Sequence, residues 1–328
     1  MIYNNGDNNY KKIALIIPYF GNFKNYFQLF LTSCKNNPTI DWLIYTDSIE
    51  AYEWPENVHK ITTTFEDFKQ RIQANFDFCV CLDKPYKLCD FKPTYGEVLA
   101  NDLKDYDFWG YCDCDLIFGD IRKFLTDDVL GKYEKIFTRG HLSIYHNDAA
   151  TNAFYRTQTN YDYKKVLTTP QAWAFDEWGG VSSAWDKSGR VYYDELCMDD
   201  IMYTLDGFHP TKSIRGYGNP YHKNNVNQAS KYRKMRNVFY AYENGKLFRC
   251  WNTHGKISKE EVLYVHFQKR NMNVDLQQEE ENSFLIVPDR FVDYKDLTQQ
   301  LMKQLAPHKL TGKNIIESTK QVVRNIVK

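Results

Sequence analysis

The chain has 328 residues, enough to bury the core of one large domain or of two smaller ones. Its 42 basic and 42 acidic residues give a formal net charge of zero. This argues against broad nucleic-acid binding, which requires an excess of positive charge. Aromatic residues make up 16% of the chain, and we assign them to packing unless a site claims them.

The first twelve residues are polar and rich in asparagine, unlike a signal peptide. No apolar run approaches the length of a membrane span, so we expect a soluble, cytoplasmic protein. The eight cysteines fit a reducing compartment better than a disulfide framework. Cys79-x-Cys81 and Cys112-x-Cys114 are more closely spaced than usual zinc ligand pairs, so we expect buried free thiols.

The first half of the chain alternates strand-like and helix-like segments. We predict strands at 13–17, 42–46, 58–61 and 108–111, with helices between them at 23–34, 65–72 and 93–103. Thr63 and Glu66 have the spacing of a capping box at the start of the second helix. The order of these elements predicts the α/β class, with a mainly parallel sheet covered on both faces.

The second half is less regular. We predict strands at 135–138, 142–145 and 263–267 and a short helix at 148–156. The loop 176–180 is rich in Trp and Gly, and Asp199-Asp200 is predicted to open a helix. The polar, basic segment 216–236 has no strong period and is predicted to form a loop near the site.

Two carboxylates follow the strand at 108–111, in the sequence Asp113-Cys114-Asp115. The carboxyl end of such a strand lies at the edge where open α/β sheets bind ligands. A D-x-D turn can hold a hard divalent cation that keeps positions open for the phosphates of a substrate. The pattern alone is weak, because acids on solvated turns are common.

The carboxyl-terminal segment 309–328 differs in composition from the rest. It carries five basic residues against one acid, and apolar residues recur along it at helical spacing. A basic amphipathic helix of this kind can lie on an anionic membrane, which here would be the inner face of the cell membrane. The alternative, equally favoured, is a terminal helix docked on its own domain.

Taken in order, these features resemble nucleotide-sugar glycosyltransferases of the GT-A fold, most of all bacterial enzymes that build capsule, exopolysaccharide or lipopolysaccharide chains. The resemblance covers roughly residues 11 to 270. It rests on four features, which are Asp113-Cys114-Asp115, Gly179-Gly180, Asp199-Asp200 and His266. Each feature is weak alone, and the ordered set is moderately specific.

The resemblance implies a GT-A-like, Rossmann-type mixed sheet flanked by helices. The catalytic domain would span 1–270, with a nucleotide-sugar half at about 11–120 and an acceptor half at about 121–270. A helical extension would follow at 271–328.

The resemblance also implies a site for Mn²⁺ or Mg²⁺. Asp115, with Asp113, would bind the cation, and His266 would complete the set of ligands. The cation would neutralise the diphosphate of the donor and act as a Lewis acid. Lys269 and Arg270 would place two further positive charges beside the phosphates.

An inverting transferase needs a carboxylate to deprotonate the attacking hydroxyl. Asp200 matches the base position of the family, although the usual Glu before it is Asp199 here. Both acids could instead cap a helix. Asp176 and Glu177 are the competing bases, and we rank Asp200 first and Asp176 second. A retaining enzyme would need none of the four.

The nucleoside end of the donor is expected at the carboxyl ends of the first two strands. The ring of Tyr19 or Phe20 would stack on the base, and Thr46 or Asp47 would bond base or ribose. Lys92 and Tyr95 resemble donor contacts of the family, although solvated turn charge explains Asp47 and Lys92 nearly as well. The full set expected to contact the donor is Pro18, Tyr19, Phe20, Thr46, Asp47, Lys92, Tyr95, Asp113, Lys269 and Arg270.

The leading hypothesis is therefore a metal-dependent glycosyltransferase that moves a hexose from a UDP-sugar to a glycan or lipid-linked glycan acceptor. UDP is favoured because D-x-D members of the family usually use it. The alternative is a noncatalytic carbohydrate-binding or scaffold protein on the same fold. A nucleotidyltransferase is disfavoured, since Gly21-Asn22-Phe23-Lys24 is a poor phosphate loop.

Overall fold

The computed structural model describes residues 10–157, 160–201, 207–208, 235–253, 255–277, 282–306 and 316. The chain folds into two compact units, and each is assembled from separate stretches of sequence. The first unit comprises Met1–Phe23, Pro38–Asp113 and Leu125–Glu195. The second comprises Lys24–Asn37, Cys114–Phe124 and Leu196–Lys328.

The secondary structure is numbered here in chain order over the described residues. The strands are β1 (Ile13–Pro18), β2 (Ile40–Thr46), β3 (Val58–Thr62), β4 (Phe108–Cys112), β5 (Leu116–Phe118), β6 (Lys135–Arg139), β7 (Leu142–His146), β8 (Tyr192–Tyr193), β9 (Asp199–Asp200), β10 (Arg236–Glu243), β11 (Lys246–Thr253), β12 (Lys256–Glu261), β13 (Tyr264–His266), β14 (Asn273–Asp275), β15 (Ser283–Val287) and β16 (Arg290–Asp293). The α-helices are α1 (Phe27–Lys35), α2 (Phe65–Gln73), α3 (Tyr95–Val98), α4 (Ala100–Leu103), α5 (Ile121–Phe124), α6 (Asp127–Lys132), α7 (Ala149–Asn152), α8 (Tyr163–Thr168), α9 (Ser183–Lys187) and α10 (Gln299–Leu305). Short 3₁₀-helices span Pro85–Thr94 and Phe154–Arg156, and a π-helical segment spans Trp178–Ser182.

The first unit is built on a sheet whose described part has seven strands, in the order β3-β2-β1-β4-β7-β6-β8. The strands β1 to β4 run parallel, β7 is antiparallel to β4 and β6, and β8 is parallel to β6. The apolar run at 13–17 is buried throughout, as expected for a central strand covered on both faces. The predicted α/β class with a mixed sheet flanked by helices is confirmed.

This sheet brings the ends of several predicted strands to one edge. Pro18 ends β1 and Thr46 ends β2, and the two strands pair in parallel from Ile13 to Pro18. Asp113 directly follows β4, which is also parallel to β1. Because the carboxyl ends of parallel strands lie at the same edge of a sheet, the residues that follow these three strands lie at that edge.

The helix α2 begins at Phe65, and its capping residue is one position later than the sequence indicates. The N-cap is Thr64, whose hydroxyl accepts a hydrogen bond from the Asp67 N–H at 3.1 Å. The predicted capping pair was Thr63 and Glu66, which is therefore wrong by one position. The apolar face of the helix is as predicted, since Phe68 and Ile72 are buried.

The second unit contains two further sheets within the described residues. One has six strands in the order β12-β11-β10-β15-β16-β14, and the other has three in the order β5-β13-β9. In the smaller sheet β13 is antiparallel to β5 and parallel to β9. Its central strand is the predicted strand at 263–267.

Several predictions for this unit differ from the structure. Asp199-Asp200 form β9 and do not open a helix, because they pair with β13. The hairpins of β10, β11 and β12 were not predicted. The predicted helical extension from residue 271 contains the strands β14 to β16, and the first helix among its described residues begins at Gln299.

The predicted basic helix at 309–328 lies outside the described residues, apart from Ile316. The loop predicted at 216–236 likewise falls outside them up to residue 234. Among the helices that are described, none has the length and apolar character needed to span a bilayer.

Candidate functional site

Two of the predicted cation ligands, Asp115 and His266, lie together in the second unit. The pairing of β13 with β5 sets His266 opposite Leu116, the residue after Asp115. The Phe267 N–H also donates to the carbonyl of Asp115 at 3.1 Å. These backbone bonds bring the side chains together, with Nε2 of His266 3.2 Å from Oδ1 of Asp115.

The other ring nitrogen of His266 contacts Asp200. Nδ1 lies 2.8 Å from Oδ1 of Asp200, and the two residues are in register across β9 and β13. The amide of Gln268 donates to the same oxygen at 2.8 Å. Asp115, His266 and Asp200 thus form a row in which the imidazole is held between two carboxylates.

The two carboxylates of this row favour positive charge between them. Burial alone would lower the pKa of His266, but the carboxylates of Asp115 and Asp200 outweigh burial and raise it well above the usual value. A carboxylate and an imidazole are also suitable ligands for a divalent metal. The chemistry of the donor set therefore fits the cation that the sequence predicts.

Asp199 points away from this row and is fully buried. Nη1 of Arg249 donates to both of its oxygens, at 2.6 and 2.7 Å, and the Tyr240 hydroxyl donates at 2.9 Å. Both oxygens of the Asp199 carboxylate are therefore engaged by Arg249 and Tyr240 in the core, and the guanidinium neutralises its charge. These contacts contradict the predicted role of Asp199 as a catalytic acid or base. They connect β9 to the strands that carry Arg249 and Tyr240.

Asp113 belongs to the first unit, where it contacts Lys92. The Lys92 ammonium donates to Oδ1 of Asp113 at 2.8 Å and to the Gly140 carbonyl at 2.7 Å, and it lies 3.3 Å from Asp176. Burial lowers the pKa of Lys92, but Asp113 and Asp176 outweigh it and raise the pKa well above its usual value. In the first unit, the charged ammonium of Lys92 therefore lies between the carboxylates of two predicted site residues, Asp113 and Asp176.

Asp176 is a buried carboxyl with a raised pKa. It is only 3% exposed, and burial raises its pKa to about 7, with Lys92 opposing the rise and Glu177 and Asp113 adding to it. Glu177 is exposed to solvent. An acid that titrates near neutral pH suits proton transfer, so Asp176 has the properties of a general base.

The chain leading to Asp176 is held by a buried ion pair. Lys87 donates to Asp90 at 2.7 Å, and both residues are almost fully buried. Asp90 also accepts from the backbone N–H groups of Trp173, at 2.9 Å, and Phe175, at 2.9 Å. These bonds fix the backbone immediately before Asp176.

Close packing explains why residue 180 of the predicted loop is a glycine. A Cβ at Gly180 would collide with the carbonyl oxygen of Phe175, and that oxygen accepts a hydrogen bond from the Val181 N–H at 3.0 Å. A side chain at Gly180 would therefore displace the turn that carries Asp176.

The predicted nucleoside site at the ends of β1 and β2 is brought together by hydrogen bonds. The Tyr19 N–H donates to the Tyr45 carbonyl at 2.9 Å, and the Gly21 N–H donates to Asp47 at 3.0 Å. The Tyr19 ring stacks on Phe23 with centroids 4.6 Å apart.

The neighbouring candidates are occupied by the fold. Phe20 packs edge-on against Phe65, which assigns its ring to the core. Thr46 is fully buried, and its hydroxyl accepts from the Ser48 N–H at 3.1 Å. Of the aromatic pair, Tyr19 is therefore the better stacking candidate, beside the exposed Asp47.

Two predicted phosphate or donor contacts have structural partners instead. Tyr95 is fully buried, and its hydroxyl donates to the Leu88 carbonyl at 3.3 Å. The guanidinium of Arg270 donates to the carbonyls of Pro288 at 2.9 Å and Gly207 at 3.0 Å. Lys269 is exposed, so its predicted role as a positive charge beside the phosphates stays a prediction.

All eight cysteines lie in the described residues and are free thiols. Cys112 and Cys114 are buried, as expected. Cys79 is exposed and Cys81 partly so, which differs from the expected burial.

Sequence reasoning missed three residues that bond to Asp199 or Asp200, namely Gln268, Arg249 and Tyr240. Gln268 directly follows the predicted strand of His266, but its bond to Asp200 left no sequence signal. A signal did exist for the other two, because Asn244-Gly245 marks the hairpin of β10 and β11 that carries them.

The fold and the site together define a mixed α/β protein with a buried histidine held between carboxylates. The chain belongs to a family of unknown function, DUF6625, whose model matches residues 15–295. No curated protein matches the sequence.

Among solved structures, the chain is similar to the galactosyltransferase LgtC. For an active-site mutant of LgtC the TM-score is 0.40 with 11% identity, over 79% of this chain and 88% of that one. For LgtC in complex with donor and acceptor sugar analogs the values are 0.40 and 10%, over 77% and 86%. Similarity at this level assigns no activity to the present chain.

Proposed function

We propose that this protein is a glycosyltransferase that moves a hexose from a UDP-sugar to a hydroxyl of a growing bacterial surface glycan, with the help of Mn²⁺ or Mg²⁺. The observation that carries the proposal is the 3.2 Å contact between Asp115 and His266. The two residues are remote in the sequence and were selected from it as ligands of one cation.

The donor set supports Mn²⁺ more than Mg²⁺. Asp115 supplies oxygen and His266 supplies nitrogen, whereas Mg²⁺ is bound almost entirely through oxygen. When bound, the cation would neutralise the charge that develops on the departing nucleoside diphosphate. Asp113, two residues before Asp115, is the further candidate ligand, and Lys92 already holds its carboxylate.

The first unit supports a place for the nucleoside. The stacked ring of Tyr19 and the carboxylate of Asp47 both follow strands that end at the carboxyl edge of the sheet. An aromatic face can stack on a base, and a carboxylate can accept hydrogen bonds from base or ribose.

The acceptor hydroxyl requires a base if the transfer inverts configuration. Asp176 is supported by its pKa of about 7 and by the bonds that fix the backbone before it. Asp200 has its Oδ1 bonded to His266 and Gln268, which favours a different role. We therefore rank Asp176 above Asp200, with Glu177 as its exposed neighbour.

The proposal is tested by calorimetric titration with UDP, with and without Mn²⁺. The wild-type protein is expected to bind UDP only with the cation, and Asp115→Ala to lose that binding. Asp77→Ala is the matched control, since it removes an exposed carboxylate of the first unit. Hydrolysis of several UDP-sugars with Mn²⁺ would then identify the donor.

Binding of UDP without metal, or no binding, would contradict the proposal. A noncatalytic carbohydrate-binding protein would hydrolyse no sugar nucleotide. It would also bind its glycan equally well after replacement of both Asp115 and Asp200.

A further inference from the structure

We propose that Asp200 is a positioning residue, which holds His266 so that Nε2 faces Asp115, and that the buried Arg249–Asp199 ion pair anchors the strand that carries it. The inference rests on the proposed function, because it assigns His266 as a ligand of the cation. It gives each acid of the pair Asp199-Asp200 a role other than that of catalytic base.

First, the strand β9 places the two acids of the pair on opposite faces. Successive side chains in a strand point to opposite faces, so the two acids of β9 cannot share one environment. Asp199 is 0% exposed and bonded to Arg249 and Tyr240, on β11 and β10. Asp200 is on the opposite face, in register with His266.

The second step is the anchoring of β9. Arg249 is 1% exposed and joins Asp199 to Glu260 of β12, with 2.8 Å to the latter. A two-residue strand has few backbone bonds of its own. The ion pair adds two charge-assisted bonds and the Tyr240 hydroxyl adds a third, and together they fix β9 against the six-stranded sheet.

The third step is the orientation of the imidazole. A carboxylate can only accept, so the 2.8 Å contact with Asp200 places a proton on Nδ1 of His266. The other nitrogen, Nε2, faces Asp115 at 3.2 Å and is the atom through which His266 would bind a metal. A ligating histidine is commonly fixed in this way by a carboxylate on its second nitrogen.

A backbone feature supports the same conclusion. Gln268 has φ of 55°, a left-handed conformation that is costly for a residue with a side chain. The turn is closed by the Arg270 N–H, which donates to the Phe267 carbonyl at 3.0 Å. This conformation accompanies the 2.8 Å bond from Gln268 to Asp200, so the strained turn helps to hold the carboxylate.

The test is Mn²⁺ binding by the full chain without nucleotide, followed by electron paramagnetic resonance. Asp200→Ala is expected to weaken the affinity on the order of 10- to 100-fold, as loss of such a partner does at other sites. Asp200→Asn keeps an oxygen that accepts from Nδ1, so it is expected to stay within a few-fold of wild type. The thermal unfolding midpoint of each variant shows that it is folded.

The outcomes separate this inference from the proposed function. If Asp200→Ala binds Mn²⁺ as wild type does but loses kcat, Asp200 is a base and the inference is overturned, while the function stands. Equal weakening in the Asn and Ala variants would also overturn it, because a hydrogen-bond acceptor would then not suffice. If the wild-type protein binds no Mn²⁺ without nucleotide but binds UDP with Mn²⁺, the inference is overturned and the function stands. If it binds no Mn²⁺ with or without UDP, both proposals fail.

Discussion

Asp199 and Asp200 are neighbours in the sequence, yet their carboxylates have different surroundings. Asp199 has its charge neutralised in the core by Arg249, and Asp200 contacts a histidine at a partly exposed position. Asp176 differs from both, because burial without full compensation raises its pKa to about 7. At the scale of the residue, the partners of an acid distinguish an anchor from a candidate base.

Asp199→Asn is expected to lower the free energy of unfolding by about 3–5 kcal/mol, because it leaves Arg249 buried without its carboxylate. Urea denaturation followed by circular dichroism measures the change. Asp275→Asn is the control, since its ion pair with Arg290 is exposed and contributes little. An Asp199→Asn variant as stable as the control would refute the anchoring role of the pair.

Lys135 is fully buried, and burial lowers its pKa to about 7 against the opposing carboxylates of Asp194 and Asp176. Its amine contacts the Tyr145 hydroxyl at 2.8 Å. In the unfolded chain a lysine titrates near 10.4. Between about pH 7 and 10 the unfolded state thus binds one more proton, so this residue makes stability rise with pH.

We therefore expect the stability of the wild-type protein relative to Lys135→Met to increase from pH 7 to 9.5, by up to about 1.4 kcal/mol per pH unit. Urea denaturation at several pH values measures this slope. The exposed Lys132→Met should show no such dependence. A constant difference between wild type and Lys135→Met would mean that the buried amine keeps its proton.

At the scale of the element, the start of α2 gives a sharp comparison of neighbouring residues. The cap is Thr64, whereas the sequence indicated Thr63. Thr64→Ala is expected to lower the free energy of unfolding by about 1 kcal/mol, since it removes the bond to the Asp67 N–H. Thr63→Ala should cost less under the same denaturation, and a larger loss there would contradict the assignment.

Elements with a strong local signal could be predicted from the sequence. The apolar runs of β1, β2 and β4 are buried on both faces, so composition alone marks them. The hairpin of β10 and β11 had a usable signal that was not used. Asn244 and Gly245 take φ of 48° and 83°, which Asn-Gly accepts readily at a tight turn.

The site was predictable only in part, for a physical reason. The resemblance to GT-A glycosyltransferases was enough to select Asp115 and His266, which the structure brings together. The role of Asp199 depends on Arg249, which is distant in the sequence, and an acidic pair by itself resembles a helix cap. Likewise, nothing local shows that Tyr95 and Arg270 have partners within the fold.

At the scale of the whole molecule, the two compact units do not follow the order of the chain. The resemblance to GT-A enzymes implied a division near residue 120, between a nucleotide-sugar half and an acceptor half. The first unit instead takes residues up to Glu195, since β6, β7 and β8 complete its sheet. Pairing between distant strands decides the division, and local pattern does not report it.

This interleaving affects synthesis of the protein on the ribosome. The apolar residues Tyr26 and Leu29 emerge early, but they pack in one cluster with Phe267 and Phe284 of the second unit. At about 5–20 residues per second, their partners emerge on the order of tens of seconds later. The apolar side of α1 therefore stays exposed to solvent in the nascent chain until those partners are synthesised. We expect a chaperone to bind the growing polypeptide at this helix.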